Sequence, residues 1–221
     1  MPASYFDVDG TLVRTNLIHP TLYYLRSQVN PWHSLKAISR TLAQGPSLAL
    51  AEARDRRLFN EMLFASFKGM TEDRLFFISE EIHEEVMMKN LFNGSRDLIQ
   101  RCLDNGHEVV LVSGTLDIIL QHFAKELGAH TIIANRLEVK DFKATGKLLR
   151  PVVAGPTKAQ LIRDHAAKNG HDLNECFAYS DSYSDVPMLS VVGHPTTVNP
   201  DKKLYRLARA YQWPILDLDG K

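Results

Sequence analysis

The chain has 221 residues, 44% of them apolar, with 26 basic and 26 acidic side chains. That suffices for one α/β domain with a smaller insertion and leaves no net field to draw nucleic acid or an anionic membrane surface. No stretch approaches the roughly 20 apolar residues of a membrane span, and an acidic motif occupies the first ten positions, where a secretory signal would lie. Cys102 and Cys176 stand far apart in apolar surroundings, and the nine histidines form no HExxH or other close ligand pair. Reduced thiols in a cytoplasmic protein are therefore expected, with neither a disulfide nor a zinc site.

The first predicted element is a strand over residues 4–8, running into Asp7-Val8-Asp9-Gly10-Thr11. Side chains at i and i+2 of a strand face the same way, so Asp7 and Asp9 are expected to point together into a loop opened by Gly10. Two like charges so close ask for a cation or for acid/base chemistry. A surface turn uses the same residue types. A calcium loop counted from Asp7 fails, because Thr11 and Leu12 stand at its fifth and sixth positions instead of an acid or amide and a glycine.

From residue 17 to 90 the periodicity is helical. One helix over 17–28 is broken by Pro31, and a second over 32–43 is ended by Gln44-Gly45-Pro46. Ser47 caps a long third helix carrying Leu48, Leu58, Leu63 and Phe67, closed by Gly69. Thr71 caps a fourth, with Glu72 and Asp73 in its first turn. The cluster Arg54-Asp55-Arg56-Arg57 reads as a solvated helix face.

From Asn93 onward strands and helices alternate. Helices are predicted over 95–105, 116–127 and 157–168; strands over 108–112, 131–133 and 176–179, with short ones near 196–198 and 214–216. A hairpin falls within 137–149. This texture implies a Rossmann-like, doubly wound, mainly parallel sheet. The first strand has no core of its own and must join that sheet, so residues 1–15 and 93–221 form the core domain and residues 16–92 an inserted all-α helical cap. Chemistry then belongs at the carboxyl ends of the strands.

Three further motifs fall there. Ser113-Gly114-Thr115 ends a strand, and its hydroxyls and amides suit an oxyanion cradle or, equally, a helix cap. Lys158 sits in the first turn of a helix, where a cation opposes the dipole unless an anion is near. Asp181 and Asp185, four positions apart after an apolar strand, bring two more carboxylates to the same edge. A Mg²⁺ ion with Lys158 makes four such charges tolerable.

These four motifs, in this order, resemble those of the haloacid dehalogenase superfamily, and helices inserted between the first two resemble its C1-cap, phosphoserine-phosphatase-like branch. Residues 134–141 with Thr145-Gly146, and Thr197-Val198-Asn199-Pro200-Asp201 before Trp213-Pro214, look like that branch too. The resemblance implies that Asp7 attacks phosphorus to form an aspartyl-phosphate and that Asp9 is the acid and then the base. It implies Mg²⁺ held by Asp7, the Asp9 carbonyl and Asp181 with Asp185 in support, and phosphoryl oxygens held by Ser113, Gly114 and Lys158. An acid at Asp9 suits a phosphatase, since dehalogenases of the superfamily lack one there.

The implied substrate is a small-molecule phosphate monoester; the oligomeric state is not legible. The alternatives are a phosphotransferase using the same intermediate, or specificity for phosphoserine or histidinol phosphate. The branch's substrate-reading glutamate and arginine fall by count on Asn16 and Leu63, and a small shift would recruit Arg56 or Arg57. The last motif reads Ser180-Asp181 where the branch has Gly-Asp.

Overall fold

The computed structural model describes residues 1–27 and 45–219, together with residues 32, 35, 38, 39, 41 and 43. Most of the helix expected over 32–43 lies outside the described residues. The central strand, β1 (Ala3–Phe6), is buried at all four positions and pairs in parallel with β2 (Glu108–Leu116) and with β6 (Phe177–Ser180). With β3 (Thr131–Asn135), β7 (His194–Val198) and β8 (Ile215–Leu216) the sheet order is β3-β2-β1-β6-β7-β8, every pairing parallel. This is the doubly wound α/β fold that the sequence predicts.

A parallel sheet covered on both faces has no wet side, so its strands read as unbroken apolar runs. Alternate side chains serve opposite faces. Phe6, Val109 and Leu111 pack with Ile99 and Phe123, from α5 (Ser95–Asp104) and α6 (Asp117–Leu127). Tyr5, Val110 and Val112 pack with Ile162 of α7 (Pro156–Asn169), Met188 of the short α8 (Val186–Leu189) and Leu204 of α9 (Lys202–Tyr211). The chain passes from β1 outward to β2 and β3, then crosses to β6 on the other side. The order therefore reverses beside β1, and ligands of open α/β sheets bind in that crevice.

Between β1 and β2 lie α1 (Ile18–Arg26), α2 (Gly45–Arg54), α3 (Arg56–Phe64) and α4 (Glu72–Ile82), with short helical turns at Ala65–Phe67, His83–Met87 and Met88–Asn90. Most of their apolar surface joins the sheet's core: Tyr24, Phe67, Ile78 and Met87 belong to one cluster with Leu111 and Phe123. Leu48, Ala51, Phe59 and Leu63 form a small cluster of their own.

Local structure departs from expectation in three places. The single helix expected from Ser47 to Gly69 is two, because Asp55 is extended (φ −156°) and its side chain accepts from the Arg57 N–H, starting a new helix. Strand β2 continues through Ser113-Gly114-Thr115, so α6 begins at Asp117 and these hydroxyls do not cap it. Helix α9 is not among the predicted elements, although Leu204, Leu207, Ala208 and Tyr211 recur at helical spacing between its four charged residues. It is started by Asp201, whose carboxylate accepts from the N–H groups of Lys203 and Leu204.

The expected hairpin is present as β4 (Leu137–Lys140) and β5 (Lys143–Leu148). Its two turn residues, Asp141 and Phe142, both have positive φ (49° and 59°), the conformation that Asn-Gly or Asp-Gly supplies without strain. Phe142 is 80% exposed, so its ring contributes little packing. Phe142→Gly is expected to stabilise the fold by about 0.5–1 kcal/mol, since it removes roughly 1–2 kcal/mol of left-handed strain and returns part of that as backbone entropy. Denaturant unfolding of the two proteins measures the difference; a destabilised glycine variant would show that the ring packs despite its exposure.

Candidate active site

The carboxyl ends of β1, β2 and β6 meet the N-terminus of α7 at one point. Strand β1 stops at Phe6, earlier than expected, so Asp7 and Asp9 sit in the loop beyond it and still reach the same cleft. Asp7 is 5% exposed. Its Oδ1 accepts from Lys158 Nζ at 2.6 Å, and its Oδ2 lies 3.0 Å from Thr11 Oγ1. Lys158, 3% exposed, also donates to Asp185 Oδ2 at 2.8 Å, and Ser180 Oγ donates to that same oxygen at 2.9 Å.

Asp9 has different neighbours. Its Oδ2 accepts from Ser113 Oγ at 3.2 Å and its Oδ1 from Thr15 Oγ1 at 3.4 Å. Ser113 is fully buried and accepts in turn from the Thr115 N–H, so it holds Asp9 from behind while Gly114 lines the cleft. Thr11 ties the first and last motifs together: its hydroxyl is 3.0 Å from Asp181 Oδ1 as well as from Asp7, and it accepts from the Asp181 N–H.

Two glycines make this closeness possible. Gly10 has φ +86°, and a Cβ there would sit 2.4 Å from Asp181 Oδ2. A Cβ on Gly114 would sit 2.9 Å from Asn60 Nδ2 and 3.2 Å from Leu17 Cδ1, so the helical segment closes tightly over the end of β2.

Burial drives the electrostatics. It pushes the Asp7 carboxyl above its ordinary range, with the Asp185 charge adding and Lys158 opposing. Burial and then the Asp7 charge push Asp9 up to about 6 and Asp181 up to about 8. Burial pulls the Lys158 pKa down, but Asp185 and Asp7 more than offset it and hold it above the usual lysine value. Four carboxylates thus share one buried ammonium, and Asp185 Oδ1 is buried with no hydrogen-bond partner. An acceptor-only, oxygen-rich set short of positive charge fits a hard divalent cation such as Mg²⁺.

The cleft, about 150 Å³, lies between this edge and the helical segment. Asn16 lines its mouth, where its Oδ1 accepts from the Ile18 N–H at the start of α1. Leu63 does not line it: the side chain is 1% exposed inside the small cluster on α2 and α3, so its expected role as a specificity residue is corrected to packing. Arg56 takes the facing position. Its Nη1 donates to Ser184 Oγ at 2.9 Å across the cleft, while Nη2 lies 3.5 Å from Glu52, which lines the same space. Arg57 turns away and pairs with Asp55 at 2.8 Å. The basic cluster is therefore only partly a solvated face.

A family profile described as haloacid dehalogenase-like hydrolase matches residues 5–190. The chain belongs to that family. A Mycobacterium tuberculosis protein named phosphoserine phosphatase SerB1 is 33% identical over 97% of this chain and 70% of its own length. A Streptococcus thermophilus protein named phosphoserine phosphatase is 30% identical, over 85% of this chain and 79% of its own. Among solved structures, a phosphoserine phosphatase described as a phospho-aspartyl intermediate analogue shares the fold, with a TM-score of 0.71 and 20% identity over 100% of this chain and 94% of that one. This haloacid dehalogenase-like hydrolase is accordingly an enzyme of the phosphoserine-phosphatase-like branch, a phosphatase by class. Among the described residues no helix is long and apolar enough to cross a membrane.

The raised carboxyls give a signed pH dependence. A carboxyl whose folded pKa exceeds its unfolded value of about 3.9 favours the fold at low pH, and that contribution is lost as pH rises through the folded value. The metal-free protein is therefore expected to lose thermal stability between pH 5 and pH 8, as Asp9 and then Asp181 ionise. Mg²⁺ a hundredfold above its dissociation constant adds about 2.7 kcal/mol, roughly 5–10 °C, and more of it at pH 8 than at pH 5. Melting curves with EDTA or Mg²⁺ test this, with Asp181→Asn expected to flatten the difference; equal Mg²⁺ shifts at both pH values would contradict it.

Proposed function

We propose that the enzyme is a Mg²⁺-dependent phosphomonoesterase working through an aspartyl-phosphate on Asp7, with the helical segment 16–92 as its cap. The observation that carries this is the split between two neighbouring acids. Asp7 is fixed by an ammonium and held for attack. Asp9 is held only by hydroxyls, with a pKa pushed up to about 6, where one group can give and take a proton.

The steps follow from those positions. An Asp7 oxygen attacks phosphorus while the bond to the ester oxygen breaks, and Asp9 delivers its proton to that leaving oxygen. Asp9, now ionised, takes a proton from water as the water attacks phosphorus, the bond to Asp7 breaks, and inorganic phosphate leaves. Lys158 and the Gly114 main chain are the groups offered to the phosphoryl oxygens, and Ser113 keeps Asp9 aimed. Asp7, the Asp9 main chain and Asp181, with Asp185 behind them, would hold Mg²⁺, which supplies positive charge beside a dianionic substrate.

The cap side supports a small ester carrying its own charges. Arg56 offers a guanidinium and Glu52 a carboxylate to the same cleft, which suits a phosphorylated amino acid. The names of the relatives point the same way, so phosphoserine is the first substrate to assay.

Asp7→Asn is expected to abolish hydrolysis of p-nitrophenyl phosphate, as EDTA should in the parent enzyme; the active parent with added acceptor alcohols should give phosphate and no new ester. Full turnover by Asp7→Asn would remove the nucleophile assignment. Arg56→Ala should weaken phosphoserine turnover about 10–100-fold in kcat/KM, the scale of one lost charged hydrogen bond, and p-nitrophenyl phosphate much less. Equal losses on both substrates would show that Arg56 does not read the amino-acid part.

A further inference from the structure

At the opposite edge of the sheet the chain brings together three side chains that its sequence keeps apart. Glu108 opens β2 and pairs with Ala3 at the start of β1, so it lies at the amino ends of the strands. Helix α7 runs from Lys158, in its first turn at the cleft, to that far edge; His165 is seven residues on, about 10 Å along the axis. His171 follows directly after Gly170, the left-handed residue that ends the helix.

The geometry is that of a ligand set. His171 Nε2 lies 2.7 Å from Glu108 Oε2, and His165 Nε2 lies 3.4 Å from Glu108 Oε1. Metal-ligating atoms of all three residues fall within 4.8 Å of one another. Their side chains are only 4%, 10% and 15% exposed for His171, His165 and Glu108. The outer nitrogens are engaged elsewhere: His171 Nδ1 is 2.7 Å from the Met1 carbonyl oxygen, and His165 Nδ1 is 3.2 Å from the Tyr5 hydroxyl. Thr131 Oγ1 donates to Glu108 Oε1 at 2.8 Å.

The Met1 carbonyl can only accept, so His171 Nδ1 carries a hydrogen. In a neutral ring Nε2 is then a lone pair, facing a carboxylate oxygen at 2.7 Å. Two acceptors at that distance need a cation between them, either a proton or a metal ion. An outer N–H held by a carbonyl is also what orients a metal-binding histidine, and a hydrogen bond to the ligating carboxylate is its counterpart. Tetrahedral zinc bonds of about 2.0–2.2 Å require ligand atoms about 3.3 Å apart. The 3.4 Å separation matches that value, and the 2.7 Å pair has to open by about 0.6 Å to take the ion.

We propose that Glu108, His165 and His171 form a second metal site, for Zn²⁺ or a similar borderline divalent ion, remote from the catalytic cleft. Two imidazoles and one carboxylate select such an ion over Mg²⁺ and leave a fourth position for water. The site ties together the beginning of the chain, the start of β2 and the end of α7.

The test uses the intact protein in excess Mg²⁺, which occupies the all-oxygen cleft, and titrates Zn²⁺ against a chromophoric chelator. One equivalent of Zn²⁺ is expected to bind, and Asp181→Asn should retain it. His171→Ala and, separately, Glu108→Gln should each weaken it by roughly 100-fold or more and abolish the rise in melting temperature that Zn²⁺ gives the parent protein. His165→Ala, which spares the pair of shortest separation, serves if either variant misfolds, with circular dichroism as the check. Bound Co²⁺ should show the intense visible absorption of a tetrahedral site. No zinc retained in excess Mg²⁺, or zinc lost in Asp181→Asn and kept in the histidine variants, would overturn the proposal and leave an imidazolium–carboxylate pair only.

Discussion

The buried ammonium of Lys158, held between Asp7 and Asp185, is the contact on which the site depends. It joins the end of β1, the start of α7 and the turn after β6, elements far apart in the chain. A lysine in the first turn of a helix opposes the helix dipole, and burial acts against its charge. Both penalties are offset only because two carboxylates converge on it. Removing one partner from such a group leaves an uncompensated buried charge, typically about 3–5 kcal/mol. The sheet order favours the convergence: β1 lies between β2 and β6, so the segments after these three strands start side by side.

Around that contact, one kind of residue acquires several properties. Asp7, Asp9 and Asp181 are all aspartates, yet they differ in what donates to them: an ammonium for the first, hydroxyls for the second, a threonine shared with Asp7 for the third. Thr11 is the bridge between the first and last motifs. The helical side adds a positive and a negative group to what is otherwise an acidic floor. On the proposed reading, the chemistry of phosphorus belongs to the sheet edge and the choice of ester to the helices.

Residues at strand ends were legible in the sequence because the punctuation there is strong. Asp7, Asp9, Lys158, Asp181 and Asp185 each follow an apolar run or open a helix, and all five line one cleft. Residues whose placement depends on where a helix breaks were not legible. The count along the family's pattern falls on Leu63, which is buried, whereas Arg56, which a small shift in that count recruits, lines the cleft just after the helix break at Asp55. Ser113 keeps its place but not its expected exposure, since β2 continues past it and turns its hydroxyl to Asp9. Glu108, His165 and His171 escape any spacing rule, because the fold alone makes them neighbours.

The shared core between helices and sheet bears on how substrate gets in. Tyr24, Phe67, Ile78 and Met87 lie in the same apolar cluster as Leu111 and Phe123, so most of the helical segment cannot swing away as a hinged lid without tearing the interior. Leu48, Ala51, Phe59 and Leu63 make a cluster apart, on α2 and α3. Phe64 at the end of α3 still belongs to the large core, so only the part of the pair before it is less tied to the interior, and there Arg56 donates a hydrogen bond to Ser184 on the far wall. If Arg56 reads the substrate as proposed, a ligand that takes up the guanidinium competes with its hold on Ser184.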